Sequence, residues 1–283
     1  MPEAPELAYS RDRLKKLIEG KSVLEISPGI SGRYSKKLPE GYETFNKLVG
    51  ASPIKVDEIG TRGKFMWWRL QAPGDPEYWF MHCTYGMSGA WQTKPSKHTS
   101  FVVEYGTHKI TRDSQHLYFN DARHFGTIKF VRGGAVHRKK LESLGPCILG
   151  GQLTPEIFAE KMLRKPALPI CEAMMDQHGV AGIGNYLRAE ILHDCKVDPW
   201  RNVTEITSAE YVKLCESTIR IAEASYKSQG ATISTYRTVD DSKGTTQFDF
   251  KAYGCKECPS GHKIMRRQDG NGRMMHWCDR CQT

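Results

Sequence analysis

At 283 residues, with 39% hydrophobic and 26% charged residues, the chain is long enough for two domains with cores of their own. No stretch approaches the roughly 18 apolar residues needed to cross a bilayer, and the highly charged first twenty residues do not fit a signal peptide. The net charge of +9 and the isoelectric point of about 9.0 favour a polyanionic partner. We therefore expect an intracellular protein of a reducing compartment, nuclear or cytoplasmic, with no membrane partner.

The first residues form a candidate reactive group. Removal of Met1 would leave Pro2 as a terminal secondary amine. A terminal α-amine titrates near ~8, so part of it is neutral at neutral pH and can attack a sugar C1′ to form a Schiff base. Glu3, followed by Glu6, offers a carboxylate that can take or give the proton. The competing interpretation is an ordinary frayed terminus.

The pattern up to residue 132 predicts one helix followed by a β-rich domain. Apolar residues at helical spacing over 5–19, ended by Gly20, predict an amphipathic helix. Runs rich in aromatic and branched residues, separated by turn residues, predict strands at 23–27, 54–59, 64–70, 78–84, 100–105, 116–119 and 127–131. Several short strands at this spacing are typical of a sandwich or barrel.

Three turns in the β-rich domain carry candidate side chains. The Thr-Arg-Gly-Lys stretch over 61–64 predicts a tight hairpin with Lys64 at its tip. A glycine-flanked loop has Met87 at its apex, and the next turn presents Arg123 and Phe125. Taken singly, the loop with Met87 and the turn with Arg123 and Phe125 are better explained as ordinary β-turns.

The rest of the chain turns helical and then becomes rich in cysteine. A helix is predicted to start at Thr154-Pro155, with the threonine as its cap. Glycine-rich turns then precede a helix restarting at Asn185, where exposed N–H groups can hold a phosphate, although glycines at helix contacts also explain the pattern. The predicted segments are a β-rich domain at 1–132, a linker at 133–151, a helical domain at 152–228, a mobile loop at 229–252 and a cysteine module at 253–283.

The last four of the nine cysteines predict a metal site. Two Cys-x-x-Cys pairs close the chain, and their spacing is that of a structural four-thiolate zinc site on a β-hairpin; the four residues are Cys255, Cys258, Cys278 and Cys281. One Zn²⁺ would supply most of the stability of so short a module. The other five cysteines are scattered, which argues against a disulfide framework.

These features together resemble the Fpg/Nei DNA glycosylases. The N-terminal Pro-Glu-x-Pro-Glu, the lysine hairpin, the Gly-x-Gly-Asn before the restarted helix and the final four-cysteine module follow the family's order from Pro2 to Gln282. The resemblance implies an α+β multidomain fold: an N-terminal β-sandwich with an N-terminal helix, a helix–two-turn–helix domain and a zinc-finger β-hairpin. It also implies a monomeric, bifunctional DNA glycosylase and abasic-site lyase of base excision repair, acting on damaged duplex DNA.

The family's roles fall on matching positions of this chain. By resemblance, Pro2 is the nucleophile at C1′, Glu3 is its acid/base partner, and Lys64 lies near the damaged site and its phosphates; Glu6 is a further catalytic candidate. The resemblance assigns phosphate contacts to Asn185 and Arg273. The side chains expected to fill the hole left by an extruded base are Met87, Arg123 and Phe125.

The motifs divide between the two branches of the family. Asn-Tyr-Leu-Arg at 185–188, Thr-Arg-Gly-Lys and Trp-Cys resemble the Nei branch, which favours oxidised pyrimidines and hydantoins. Gly-Met-Ser-Gly with Arg123 and Phe125 resembles the Fpg branch, which favours 8-oxoguanine and formamidopyrimidines. We expect the Nei-like branch, with β,δ-elimination. Departures from the family pattern at Thr84 and His124 affect expected phosphate contacts, and the one at Ala4 leaves the nucleophile intact.

The alternative is a non-catalytic protein of the same fold that binds damaged DNA. Such a protein would be expected to have lost Pro2, Glu3 or Lys64, and all three are present.

Overall fold

The computed structural model describes residues 2–29, 32–107, 114–231, 239 and 249–283. The chain divides into two compact units: the first comprises Met1–Pro2, Glu6–Glu142 and Ala231–Thr246, and the second Glu3–Pro5, Ser143–Gly230 and Gln247–Thr283. In the part of the chain that is described, no helix is long and apolar enough to cross a membrane. Most of the loop predicted at 229–252 lies outside the described residues.

The first unit is built on one eight-stranded antiparallel sheet with the order β5-β7-β6-β1-β2-β3-β4-β8. Its strands are β1 (Ser22–Pro28), β2 (Ile54–Arg62), β3 (Phe65–Gln71), β4 (Trp79–Thr84), β5 (Ala90–Gln92), β6 (Thr99–Gly106), β7 (Gln115–Asn120) and β8 (Thr127–Arg132). Its helices are α1 (Ala4–Ile18), α2 (Tyr42–Ala51) and α3 (Gly134–Glu142).

The sheet folds back on itself, which confirms the predicted sandwich and shows that a single sheet forms it. The rings of Trp68 in β3 and Trp91 in β5 lie 5.1 Å apart, although four strands separate β3 from β5 in the sheet. The rings of Phe101 in β6 and Phe130 in β8 lie 6.0 Å apart, although four strands also separate β6 from β8 in the sheet. Aromatic side chains on the inner faces therefore form the core between the two layers.

Helix α1 contributes to this core as its sequence pattern predicts. Leu7, Leu14 and Ile18 fall on one helical face, and each is fully buried in the core. Gly20, with φ of 84°, follows the helix and lets the chain turn into β1.

Two helices and one strand of the first unit were not predicted. Helix α2 packs on the core through Phe45, whose ring stacks 4.6 Å from that of Phe130. Strand β5 has only three residues, too few for a visible alternation. Helix α3 occupies the first part of the predicted linker at 133–151; it is a basic helix with a single buried residue, His137, so its apolar signal is weak.

The second unit is helical and ends in a β-hairpin. Its elements are α4 (Pro155–Leu163), α5 (Ile170–Ala173), α6 (Asn185–Asp194), α7 (Ser208–Lys227), β9 (Met265–Gln268) and β10 (Met274–Trp277). The predicted helix start is confirmed, because the Thr154 side chain caps α4 by accepting from Ile157 N. Strands β9 and β10 pair antiparallel, as expected for the hairpin of the cysteine module.

Candidate functional site

The carboxylate of Glu3 is held by the N-terminus of α6. Its Oε2 accepts hydrogen bonds from the backbone N–H groups of Gly184 at 2.6 Å and Leu187 at 3.4 Å, and its Oε1 accepts from Tyr186 at 2.9 Å. The side chain is only 1% exposed. The positive end of the helix dipole favours negative charge at this position. A buried, oriented carboxylate therefore stands next in the chain to Pro2, which is itself buried.

Glycines allow this close approach. A Cβ on Gly184 would lie 2.3 Å from Cδ of Glu3. Gly182 has φ of 119°, and its carbonyl accepts from the N–H of Ala4 at 3.2 Å. The glycine turns predicted to position a phosphate thus also bring Glu3 and Ala4 to the start of α6.

Glu6, the further catalytic candidate, is buried and contacts the backbone of the first unit. Its side chain is fully buried, and its Oε1 accepts from the backbone N–H of Ala231 at 2.7 Å. This contact holds the backbone of Ala231 in place. The geometry gives Glu6 an anchoring contact within the first unit.

The predicted hairpin presents Lys64 in a two-residue loop. Arg62 at the end of β2 pairs with Phe65 at the start of β3, which leaves Gly63 and Lys64 as the loop. Gly63 has φ of 57°, as the first position of such short loops requires. The pairing next to the loop is regular from Glu58–Arg69 to Arg62–Phe65, so the two strands fix the backbone of the lysine.

The two loops that carry Met87, Arg123 and Phe125 are joined by hydrogen bonds. Asp121, 1% exposed, accepts from Ser88 Oγ at 2.5 Å, and Ser88 Oγ accepts from the N–H of Arg123 at 2.9 Å. Phe125 is 54% exposed, and the Arg123 guanidinium lies 5.8 Å from the centre of its ring. An exposed aromatic beside a cation suits contact with nucleobases.

Sequence reasoning did not identify Asp121 or Ser88, which organise these loops. A Cβ on Gly86, in the first of them, would lie 2.6 Å from the backbone of Phe125, so the two loops are in direct contact. An aspartate directly after a strand was the available signal, since such residues commonly fold turns.

Asn185 and Arg273 are connected through the turn between β9 and β10. Asn185, the first residue of α6, donates from Nδ2 to the carbonyl of Met274 at 2.9 Å. Arg273 is exposed and directly precedes β10. The structure thus brings Asn185 and Arg273, the two predicted phosphate ligands of the second unit, close together.

The cysteine module holds a group able to bind a metal ion, and this group includes a histidine that was not predicted. The ligand atoms of Cys258, His262, Cys278 and Cys281 all lie within 4.8 Å of one another. Cys255 lies outside this group, because its Sγ faces the carbonyl of Phe250 at 3.1 Å. His262 is therefore a further candidate ligand beside Cys258, Cys278 and Cys281, and ligation by Cys255 stays a prediction.

The distances fit a tetrahedral ion such as Zn²⁺. Bonds of about 2.3 Å to sulfur in tetrahedral geometry require sulfur atoms about 3.8 Å apart, and Sγ of Cys258 and Cys281 lie 3.9 Å apart. His262 Nδ1 is 3.3 Å from Sγ of Cys281. The sequence signal for His262 was present, because a Cys-x-x-x-His spacing falls in the range of zinc ligand pairs.

A buried histidine pair lies elsewhere in the first unit. Nε2 of His82 in β4 is 3.1 Å from Nδ1 of His137 in α3, and the His137 ring stacks on Phe80 with ring centres 4.1 Å apart. Burial, together with a smaller effect of nearby positive charge, lowers the pKa of each histidine to about 4. Both rings are therefore neutral at pH 7, and the pair attaches α3 to the sheet.

Comparison with known proteins gives this arrangement a family. The N-terminal domain model of formamidopyrimidine-DNA glycosylase matches residues 1–128, and the H2TH domain model of the same enzyme matches residues 144–237. The formamidopyrimidine-DNA glycosylase of Shouchella clausii is 28% identical over 285 residues, which cover 100% of this chain and 99% of the relative.

Comparison with solved structures points to the same family. The crystal structure of MutM (Fpg) from Thermus thermophilus has a TM-score of 0.81 at 27% identity and covers 99% of this chain and 98% of its own. A mutant Lactococcus lactis Fpg in complex with a Fapy-dG containing DNA has a TM-score of 0.84 with full coverage of both chains, and at 24% identity it shows the shared fold. The chain therefore belongs to the formamidopyrimidine-DNA glycosylase family, whose members are DNA glycosylases.

Proposed function

We propose that this protein is a base-excision-repair enzyme that removes oxidised bases from duplex DNA and then cuts the strand at the abasic site. The observation that carries the proposal is the position of Glu3. Its buried carboxylate, fixed by three N–H groups at the start of α6, directly follows Pro2, so an oriented proton acceptor is adjacent to the prospective amine.

The proposed reaction uses the amine of Pro2 after removal of Met1. The nitrogen lone pair attacks C1′ of the damaged nucleotide, the bond from C1′ to the base breaks, and the base leaves with a proton supplied through an acid/base group. The sugar ring opens to an iminium joined to Pro2. Glu3 is proposed to transfer the protons of ring opening and elimination.

The iminium withdraws electrons and acidifies the C2′ proton. Loss of that proton breaks the C3′–O bond, and a second elimination at C5′ completes β,δ-elimination. Water then releases Pro2 from the remaining sugar fragment. The same amine thus serves both the glycosylase and the lyase reaction.

DNA contacts are proposed for the remaining predicted residues. A target base has to leave the helical stack, which costs a few kcal/mol. Lys64, Asn185 and Arg273 supply cationic or hydrogen-bonding groups for the phosphates. Met87, Arg123 and Phe125, on two joined loops, are proposed to occupy the vacated space.

Two classes of damaged base are candidate substrates, and a different observation supports each. Asn-Tyr-Leu-Arg at 185–188 supports oxidised pyrimidines and hydantoins as the preferred substrates. The name of the Shouchella clausii relative supports formamidopyrimidines as the second candidate. The resemblance of Gly-Met-Ser-Gly, Arg123 and Phe125 to the Fpg branch adds 8-oxoguanine to them. A panel of duplexes with one lesion each, compared by single-turnover rate, decides between them.

A structural role is proposed for a zinc ion in the cysteine module. Cys258, His262, Cys278 and Cys281 would hold it with no position left for substrate, and the ion would stabilise the hairpin that carries Arg273.

The decisive experiment is borohydride trapping on a duplex with one abasic site. The processed protein should form a covalent adduct that peptide mass spectrometry assigns to Pro2. The matched control is the same chain with an uncleaved N-terminal extension, which keeps every side chain but turns the Pro2 nitrogen into an amide. That control should form no adduct.

The alternative function, damage recognition without chemistry, predicts a different result. The processed protein, with its N-terminus confirmed as proline, would bind the abasic duplex tightly without forming an adduct. Such a result would overturn the enzymatic proposal. Glu3→Gln separates the two steps, because it should bind the duplex while slowing both base excision and strand cleavage.

A further inference from the structure

Arg188 is a buried cation that none of the roles above uses. It lies in α6, one helical turn after Asn185, and its side chain is fully buried. It forms an ion pair with Asp269 at 2.6 Å, and the Asp269 side chain is also fully buried. Among the described residues, Nε of Arg188 has no hydrogen-bond partner. Burying such a pair is costly, and apolar residues often give equal or greater stability.

The two ends of the guanidinium contact different parts of the second unit. Nη1 donates to Oδ2 of Asp269 and, at 3.1 Å, to the carbonyl of Cys171. Nη2 donates to Oδ1 of Asn185 at 2.7 Å. Because a guanidinium only donates, it fixes the side-chain oxygen of Asn185 towards itself and directs Nδ2 towards the Met274 carbonyl.

Asp269 also holds the backbone of the turn that carries Arg273. Its Oδ1 accepts from the N–H groups of Asn271 at 2.9 Å and Arg273 at 2.8 Å. Gly272, with φ of 72°, permits the tight turn. The backbone of Arg273 is therefore set by the same carboxylate that pairs with Arg188.

We propose that Arg188 and Asp269 are positioning residues that hold Asn185 and Arg273 in one fixed arrangement for adjacent phosphates of the damaged strand. The proposal rests on the proposed DNA-binding function. With both ligands held in advance, binding DNA loses less conformational entropy. A planar two-ended donor is needed for this role, and lysine, a single point charge, cannot replace it.

The test compares Arg188→Met/Asp269→Leu and Arg188→Lys with the wild type. Binding of a duplex containing a tetrahydrofuran abasic-site analogue is measured at several salt concentrations, together with the melting temperature and zinc content. We expect both variants to keep their zinc and to bind about 10-fold more weakly or worse, the effect of losing one charge-assisted hydrogen bond. The slope of log affinity against log salt should fall by about one for each phosphate that the variant no longer neutralises.

The energetic coupling between Arg273 and the Arg188–Asp269 pair gives a sharper readout than the affinity alone. Arg273→Ala should weaken binding strongly in the wild type but only slightly in the Arg188→Met/Asp269→Leu background, where the arginine is no longer held in place. The matched control is Arg201→Met, which removes another arginine–carboxylate pair of the same unit, the pair that Arg201 forms with Glu210 at 2.6 Å. That variant should keep the wild-type affinity and the full effect of Arg273→Ala.

The outcomes separate this inference from the proposed function. Wild-type affinity and salt slope in Arg188→Lys, or a full effect of Arg273→Ala in the apolar background, would overturn the positioning role. If the apolar double variant does not fold, Arg188→Lys decides by the same two readouts. Failure of the wild type to bind the abasic duplex would instead refute the proposed function.

Discussion

The backbone N–H of Gly184 donates to Oε2 of Glu3 at 2.6 Å, and no other residue type fits at that position without displacing the carboxylate. Gly184 has φ of −129°, which any residue can adopt, so the requirement for glycine is one of space. The site thus depends on a residue with no side chain.

Gly184→Ala should therefore damage the chemistry more than the fold. The new Cβ would lie 2.3 Å from Cδ of Glu3 and force the carboxylate away from its donors. We expect a loss of about 1–3 kcal/mol in the free energy of unfolding and a larger fall in single-turnover excision than in DNA affinity. Gly179→Ala is the control, because its Cβ would meet nothing closer than 3.4 Å. Wild-type excision by Gly184→Ala would refute this prediction.

The metal set can be tested by removing each candidate ligand. His262→Ala should lower the metal content and weaken Zn²⁺ binding, whereas Cys255→Ser should keep one ion per chain. Substitution with Co²⁺ provides a spectrum whose thiolate charge-transfer bands report the number of sulfur ligands, and Cys255→Ser should leave them unchanged. The reverse pattern, with loss in Cys255→Ser alone, would support the predicted four-thiolate site.

Phe125 should matter for DNA and not for folding. Because its side chain is 54% exposed, Phe125→Ala should change the free energy of unfolding by no more than about 0.5 kcal/mol. Loss of a stacking surface should weaken binding to a lesion duplex by about 1–3 kcal/mol. Leu163→Ala, at a residue 45% exposed in α4, should change neither quantity. Equal binding by both variants would contradict the proposed contact.

The histidine pair predicts how stability depends on pH. His82 and His137 have pKa values of about 4 when folded, against an ordinary 6.5, so the unfolded chain takes up more protons between pH 6.5 and 4. The free energy of unfolding should therefore fall as the pH is lowered through this window. Melting temperatures at pH 7 and pH 5 measure the effect.

A variant identifies the source of that dependence. His82→Phe should reduce the difference in melting temperature between the two pH values, whereas Leu163→Ala, which removes no titratable group, should leave it unchanged. The other charges near the pair are Arg69, Lys129, Lys140 and Glu40. An unchanged pH dependence in His82→Phe would assign the effect to these groups or to others.

Local signals in the sequence predicted much of the fold. Thr154 caps α4 and Gly63 shapes the hairpin because each acts within a few residues of its own position. Likewise, the apolar face of α1 is visible in the sequence because its buried residues recur at helical spacing.

Contacts between distant residues could not be read in this way. The pairing of Arg188 with Asp269 spans 81 residues, and the capping of α6 by Glu3 spans more than 180. The metal site shows a related limit: the two Cys-x-x-Cys pairs predict a site in this module, whereas the position of His262 beside Cys258, Cys278 and Cys281 depends on how the module folds.

The two outer strands of the eight-stranded sheet have a consequence for solubility. An open sheet offers unpaired backbone groups at its edges, where further chains can add and start aggregation. Here β5 is only three residues long, and β8 carries the exposed cations Lys129 and Arg132. The N–H of Phe130 is already taken by the carbonyl of Glu40 at 2.8 Å. Both edges thus discourage the addition of another strand, which favours a protein that stays dispersed when concentrated.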